Sequence, residues 1–332
     1  MSEKQLGLFG ALPSTKREPE VGCATVDTAL TATAARMPEL IRLGSSSWTF
    51  PGWDGIVYDR PVTPKVLAAS GLRAYAQHPV LRTVGIDRTY YRPVEASLFA
   101  EMAQATPDSF RFLVKAHQFL TLPRFPHQPR FGERAGSEND LFLHPGYAVS
   151  EVVGPFVEGL GERAGPLLFQ FPPFAPREVG GPRKFAEKLY RFLIALPKGP
   201  LYAVELRTDR LYSDDYRAAL REAGAVHCFN SHPTMPPVGE QAQAYQLWER
   251  PLVVRWMLAR ERRYEEAKAA FDPFDQIVVP DPVARAAIAS LCIDATARGN
   301  PSYVVINNKA EGSAPLSARL LAEQIVMNLR PA

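Results

Sequence analysis

The chain has 332 residues, of which 46% are hydrophobic and 22% charged, and this fits one large α/β domain or two smaller ones. Its net charge of +3 is too small to indicate a nucleic-acid or membrane partner by itself. The three cysteines, without metal-ligand spacing, fit a reducing cytosol, and no bilayer-spanning run or signal-peptide core is found. We therefore expect a soluble, cytoplasmic protein with no membrane partner.

Residues 1–38 predict a flexible tail, disordered or extended, ahead of the fold. Residues 14–20 are polar, and the Ala- and Thr-rich stretch after them has few large apolar side chains. Within the tail, residues 5–9 (QLGLF) form a short apolar segment in a polar context. The remaining residues, 39–332, are expected to form one folded domain.

Eight strand-like segments alternate with helix-like segments in this domain. The predicted strands are 41–46, 81–87, 110–116, 167–171, 201–207, 226–230, 252–256 and 303–306. This alternation favours an α/β fold, a (β/α)8 TIM-like barrel. A doubly wound open sheet is the alternative, but no G-x-G-x-x-G or P-loop supports it. A loop rich in Pro, Arg and Phe, about 119–146, has the length of a functional lid or a disordered segment.

The ends of the predicted strands carry polar residues that face the barrel interior. Side chains alternate along a strand, so those sharing the parity of an apolar inward position point the same way. The ligand-binding face of such barrels lies at the carboxyl ends of the strands. The polar candidates are Asp87, Lys115, Gln170, Glu205, Arg207, Asn230, Arg255 and Asn307. They predict a pocket at this mouth, although a purely structural polar network there is the alternative.

The charges in this ring indicate the kind of ligand. Lys115, Arg207 and Arg255 outnumber Asp87 and Glu205 by one, which favours a phosphate or carboxylate group held by the arginines. Lys115, next to apolar residues, should have a lowered pKa that suits a base, a Schiff-base amine or an anion anchor. An ion pair with Glu205 or Asp87 is the alternative for that lysine.

Other functional signals are weaker. Asp87, His117 and Glu205 could ligate a divalent ion, but no metal-binding spacing supports this, so we predict neither metal nor cofactor. Aromatic residues follow the first two strands, and Trp48, Tyr90 and Tyr91 are the candidates for ligand stacking. The alternative is that these rings only form the core of the loops.

Several ordered motifs resemble the YecE-like family, the domain of unknown function numbered seventy-two. The motifs are Gly44-Ser45-Ser46-Ser47-Trp48, Pro51-Gly52-Trp53, Thr89-Tyr90-Tyr91-Arg92, Val114-Lys115-Ala116, Gln170-Phe171-Pro172-Pro173, Val204-Glu205-Leu206-Arg207 and Asn307-Asn308. The resemblance runs from about residue 40 to residue 329. It implies a TIM-barrel-like fold and brings no established reaction.

The chain departs from that family's usual pattern at three positions. Gly85 stands where the resemblance implies a glutamate, Met257 where it implies a histidine, and Ser317 where it implies an asparagine. If the missing glutamate and histidine are catalytic in the family, this member is altered or inactive.

The tail segment resembles a different motif, the pentapeptide by which bacterial replication and repair proteins bind the DNA sliding clamp. In that resemblance Gln5, Leu6, Leu8 and Phe9 fill preformed pockets on the clamp. The alternative is an apolar patch without function, because short motifs recur by chance.

Two functions follow from these observations. The first is an enzyme, a hydrolase or lyase acting on a phosphorylated or nucleic-acid substrate. Here Lys115, Glu205 and Asp87 are catalytic, and Arg207, Arg255, Asn307, Gln170 and Asn230 bind the substrate. The second is a non-catalytic module that binds a ligand or DNA and is tethered to the sliding clamp through its tail.

Overall fold

The computed structural model describes residues 20–245, 250–258 and 264–329, which form a closed barrel of eight parallel strands with helices outside it. The strands are β1 (Ile41–Ser45), β2 (Leu81–Ile86), β3 (Arg111–Lys115), β4 (Ala164–Gln170), β5 (Leu201–Glu205), β6 (Val226–Asn230), β7 (Leu252–Trp256) and β8 (Ser302–Ile306). Each strand pairs with the next along the chain, and β8 pairs with β1 to close the barrel. The predicted (β/α)8 fold is confirmed.

The helices cover the outside of the barrel and follow the strands in order. They are α1 (Thr28–Arg36), α2 (Pro64–Val66), α3 (Leu72–Gln77), α4 (Ala96–Gln104), α5 (Pro145–Ala148), α6 (Gly154–Leu160), α7 (Pro182–Ile194), α8 (Asp214–Ala223), α9 (Val238–Tyr245), α10 (Tyr264–Phe271), α11 (Pro282–Ala297) and α12 (Ala314–Asn328). One π-helical segment (Leu67–Gly71) joins α2 to α3, and another (Val149–Val153) joins α5 to α6. None of the helices in these ranges is long and apolar enough to cross a membrane.

Local sequence sets the helix ends. At α8 the Ser213 hydroxyl accepts a hydrogen bond from the Tyr216 amide (3.2 Å), and Gly224 ends the helix with φ +77°. At α11 the Asp281 carboxylate accepts from the Ala284 amide (3.0 Å), and Pro282 is the first helical residue. The N-caps Ser213 and Asp281 therefore set where the connections after β5 and β7 end and the outer helices begin.

The inside of the barrel is a layer of apolar side chains. Its buried members are Leu113, Leu168, Ala203, Val226, Cys228, Val253, Tyr303 and Val305. Lys115, Glu205 and Arg255 lie two residues further along β3, β5 and β7 from members of this layer, so they face inward as predicted. Arg207 lies beyond the end of β5, because that strand is two residues shorter than the predicted 201–207.

Residues 28–36, which the sequence placed in the flexible tail, are instead the helix α1, so this part of the predicted boundary is wrong. Asp27 caps α1 by accepting from the Leu30 amide (2.7 Å) and pairs with Arg319 of α12 (2.7 Å). Leu30 and Ala34 are buried against the core. Small residues suffice here because α12 lies close by, and so a short Ala- and Thr-rich helix forms without many large side chains. Residues 5–9 lie outside the described residues.

Candidate active site at the barrel mouth

A network of side chains around Glu205 occupies the carboxyl end of the barrel. The Glu205 side chain is fully buried, and its Oε1 and Oε2 accept hydrogen bonds from Arg207 Nε and Arg255 Nη1, both at 2.7 Å. Gln170, in register with Glu205 on the neighbouring strand, accepts from Arg207 Nη2 (3.0 Å) and Arg255 Nη1 (3.3 Å). The loop after β5 and the ends of β4, β5 and β7 therefore form one hydrogen-bonded group.

The electrostatics fix the charges inside this network. Burial alone would raise the pKa of Glu205, but Arg255, Arg207 and Lys115 outweigh it and hold the pKa well below its usual range. Burial opposes the charge of Arg255, yet Glu205 and Asp87 raise its pKa above the usual value. Glu205 stays ionised at neutral pH, so it is better suited to orient the two arginines than to exchange a proton.

Lys115 and Asp87 form the more open side of the same group. Lys115 Nζ lies 3.1 Å from Asp87 Oδ1, a charge contact without a well-directed hydrogen bond. The Asp87 side chain is 37% exposed and that of Lys115 is 8% exposed. The ammonium group also lies 5.5 Å from the centre of the Tyr90 ring, within range of a cation–π interaction.

The pKa of Lys115 is lowered to about 8, mainly by burial and then by the charge of Arg255, while Asp87 and Glu205 partly offset this. Arg207 contributes to the same lowering, so it lies within electrostatic reach of the lysine. The mouth contains three cations, Lys115, Arg207 and Arg255, against two carboxylates, Asp87 and Glu205, and this balance favours an anion. The structure thus brings together the charged residues that the sequence selected.

The predicted polar residues outside this group are bonded mainly to the barrel itself. Asn230 Nδ2 donates to the Leu206 and Cys228 carbonyls (3.1 and 3.3 Å), and its Oδ1 accepts from the His232 amide (3.1 Å). These bonds suit Asn230 to holding the end of β6. Asn307 Oδ1 accepts from the Lys309 amide (2.9 Å), whereas its partly accessible Nδ2 makes only a longer bond, donating to the Ser46 hydroxyl at 3.4 Å.

The aromatic candidates divide into two groups. Trp48 is buried, donates from Nε1 to the Leu67 carbonyl (3.0 Å), and accepts at its own carbonyl from Tyr58, so it belongs to the core of its loop. Tyr90 and Tyr91 lie at the mouth with ring centres 5.4 Å apart, and Tyr91 is 60% exposed. Arg130, from the loop after β3, lies over the Tyr91 ring at 5.5 Å. The sequence missed Arg130 because no periodic pattern places a residue of that loop.

Two departures from the family pattern also map to this mouth. Met257 Sδ lies 3.4 Å from Arg207 Nη2, so the position where a histidine is implied contacts the network directly. At Gly85 an added Cβ atom would lie 3.1 Å from Val305 Cγ1 and 3.3 Å from Ser46 Cα. The implied glutamate would therefore need its neighbours to shift.

The metal alternative receives no support from the described part of the chain, where no group of three or more His, Cys, Asp and Glu side chains could hold an ion. His117, one of the three residues of that alternative, shares a hydrogen bond of 2.7 Å between its Nδ1 and the Tyr147 hydroxyl. Burial lowers the pKa of His117 to about 4, so the ring is neutral at neutral pH. Its role is structural in this arrangement.

A cleft of about 570 Å³ lies between the β6–α9 connection and the start of α11, and none of the residues of the Glu205 network lines it. Its walls are largely apolar, with Pro236, Val238 and Ala284 among the lining residues and His232 among the polar ones. Burial, and then Arg207, lowers the pKa of His232 to about 4, so this edge of the cleft is neutral and lies near the charged group. Sequence reasoning missed the cleft because a Pro-rich loop carries no periodic signal.

Comparisons with known proteins agree on one family. The model of the family described as protein of unknown function DUF72 matches residues 42–331. A DUF72 family protein from Enterococcus faecalis is 18% identical with a TM-score of 0.56, covering 88% of this chain and 97% of its own. A DUF72 family protein from Thermotoga maritima is 19% identical with a TM-score of 0.54, covering 86% and 98%. At these identities the structures show a shared fold, and no curated protein matches the sequence.

Proposed function

Because the chain belongs to the DUF72 family, whose description assigns no reaction, we propose a function from the barrel mouth alone: an enzyme that acts on a phosphate-bearing substrate. The observation that supports it is the convergence of Lys115, Arg207 and Arg255 on two carboxylates, which leaves one positive charge in excess. Nucleic-acid phosphodiesters fall within this substrate class, as do small phosphate esters.

Each residue of the mouth has a role in this proposal. Arg207 is partly exposed and, with Lys115, binds the phosphate, while the more deeply buried Arg255 adds charge from below. Glu205 orients both guanidinium groups, Asp87 and Lys115 exchange protons with the substrate, and Asn307 orients it. The neighbouring cleft has the volume of typical small-molecule sites, about 300–1,000 Å³, and would hold the organic part of the substrate.

The first test measures thermal stabilisation of the protein by inorganic phosphate and pyrophosphate, because a ligand that binds the folded state raises its stability. We expect both ions to raise the melting temperature of the wild type and to have at least tenfold lower affinity for Arg207→Gln. Arg183→Gln, which removes an exposed arginine of α7, is the matched control and should behave like the wild type. Equal stabilisation of Arg207→Gln and the wild type would contradict the proposal.

Turnover is then measured with p-nitrophenyl phosphate and bis(p-nitrophenyl) phosphate, which distinguish monoester from diester hydrolysis. Alanine at Lys115 should abolish turnover while circular dichroism shows a retained fold. Unchanged turnover in both the Lys115→Ala and Glu205→Ala variants would remove the catalytic assignment.

A second proposal follows from the tail motif and from the two family departures at the mouth. A chain without the implied glutamate and histidine could serve as a non-catalytic module that residues 5–9 tether to a bacterial sliding clamp. A labelled peptide of residues 1–14 should bind the clamp, and a Leu8→Ala, Phe9→Ala peptide should not. Equal binding of the two peptides, or none, would contradict this proposal.

A further inference from the structure

Lys115 differs from an ordinary structural lysine in its surroundings. It is the last residue of β3 and faces into the mouth, where its amine lies beside Asp87 and against the Tyr90 ring. The contact with Asp87 is not a directed hydrogen bond, so the nitrogen is not locked into one orientation. The other groups within electrostatic reach of this amine are Arg255, Arg207 and Glu205.

These surroundings meet two chemical requirements of an amine nucleophile. The amine must be partly neutral, and with the pKa of Lys115 lowered to about 8 roughly one molecule in ten is neutral at pH 7. A base must also take the proton that the nitrogen loses, and the Asp87 carboxylate lies 3.1 Å away with part of its surface open to solvent.

We propose that Lys115 forms a Schiff base with the carbonyl carbon of an anionic aldehyde or ketone whose phosphate or carboxylate group is bound by Arg207. This inference rests on the proposed anion site and narrows its substrate to carbonyl compounds. The cleft lined by His232, a residue within electrostatic reach of Arg207, would provide space for the rest of such a molecule.

Formation of the Schiff base conserves atoms and charge. The lone pair of the neutral Nζ forms a C–N bond, and the π electrons of the carbonyl move to its oxygen. Asp87 accepts a proton from the nitrogen and returns it to that oxygen, and a second proton from solvent lets the oxygen leave as water. One amine, one carbonyl and one proton thus give one iminium ion and one water molecule.

The iminium ion carries the same positive charge as the ammonium group of the resting lysine, so Asp87 and Glu205 have this counterion again once the adduct has formed. It also withdraws electrons from a bond on the neighbouring carbon, which is the electronic requirement for breaking that bond or removing a proton there. Of the reaction classes open to this mouth, the inference therefore selects a lyase over a hydrolase.

The test is reductive trapping on the full chain. The protein is incubated separately with glyoxylate, pyruvate and dihydroxyacetone phosphate, reduced with sodium borohydride, digested and mapped by mass spectrometry. We expect at least one probe to modify Lys115 at least tenfold more than the exposed Lys65 or the buried Lys309. Labelling of Lys115 no greater than that of Lys65 with all three probes would overturn the inference.

Two further measurements separate this inference from the proposed function. Lys115→Arg keeps a cation next to Asp87 and should lose the adduct, but mapping of the wild type is decisive even if this variant fails to fold. Phosphate stabilisation without a Lys115 adduct would overturn the Schiff base and leave the anion site standing. If added inorganic phosphate does not change the yield of the Lys115 adduct, the amine chemistry would be supported and the phosphate site overturned.

Discussion

Two fully buried carboxylates pair with arginines in this barrel, and they differ in what surrounds them. Glu205 at the mouth is bonded to two guanidinium groups, with Lys115 in electrostatic reach. Glu311, between β8 and α12, pairs with Arg285 and accepts from the Asp281 amide (2.7 Å) through the same oxygen. Its main-chain carbonyl also accepts from two amides of the segment before α11, so Glu311 fastens two segments together.

The difference shows what distinguishes a candidate site from a structural ion pair. Burial and a short ion pair are common to both carboxylates and so carry no information about function. Glu311 is matched in charge by Arg285, and its Oε1 also accepts from one backbone amide, while its buried Oε2 has no hydrogen-bond partner among the described residues. At Glu205 the cations outnumber the carboxylates even when Asp87 is counted, and the surplus charge faces the mouth. The proposed anion site therefore rests on the unmatched charge and not on the buried acid.

We expect the largest effect in the stability of the two variants that remove one or the other of these carboxylates. Glu205→Ala leaves two guanidinium groups facing each other, one of them on Arg255 with 4% of its side chain exposed, and we expect a loss of about 3–5 kcal/mol in the free energy of unfolding. Glu311→Ala should cost about 1–3 kcal/mol, because Arg285 is 14% exposed and can turn to solvent. Urea unfolding measures both, and equal losses would remove the distinction.

The next largest effect concerns phosphate binding, in a variant whose stability should stay close to that of the wild type. Lys115→Met removes one unit of the surplus charge, so phosphate affinity should fall about tenfold, or roughly 1.4 kcal/mol. Asp87 loses its nearest cation but is partly exposed and can be solvated, which limits the cost in stability. Lys309→Met, in the loop that contains Glu311, is the matched control for calorimetric titration. The comparison fails if both variants bind phosphate like the wild type.

The sequence predicted which charged residues meet at the mouth but not how they pair. Strand alternation and the inward parity of Leu113, Ala203 and Val253 were enough to place Lys115, Glu205 and Arg255 in one ring, because a closed parallel barrel brings all strand ends to one face. The pairing itself was not readable, since Asp87 and Glu205 were equally plausible partners for the lysine. In the structure Asp87 pairs with Lys115, and Glu205 pairs with Arg207 and Arg255.

Other parts of the site depend on contacts that no local pattern contains. Asn230 has the parity of a ligand-binding residue, but its amide is bonded to the backbone of neighbouring segments. Trp48 follows a strand like a stacking residue, yet its indole is fixed to the Leu67 carbonyl. The helix α1 was missed for the same reason, because it is held by contacts with residues distant in sequence, among them Arg82 of β2 and Arg319 of α12.

A smaller effect should appear in the pH dependence of anion binding. The lowered pKa of Lys115 means that its charge is present below about pH 8 and is lost above it, so binding should weaken several-fold between pH 7 and 9.5. Tyr90, whose pKa is raised to about 12 chiefly by burial, stays neutral over this range, and Arg255 stays charged. Sulfate is the appropriate probe because it does not titrate there. Lys115→Arg should bind sulfate with no midpoint near pH 8.

The smallest effect tests the ring beside the lysine. Tyr90→Leu removes the aromatic face that stabilises the charged amine, a contribution of about 0.5–1 kcal/mol, so the pKa of Lys115 should fall further by about half a unit. At pH 8 the affinity for sulfate should then fall about twofold, with the midpoint of its pH profile shifted to lower pH. Phe274, which lies 5.7 Å from the Lys309 ammonium, gives the matched variant Phe274→Leu, and that change should leave the profile where it is. A midpoint unmoved by Tyr90→Leu would mean that burial and the neighbouring charged groups set the pKa of Lys115 without a contribution from the ring.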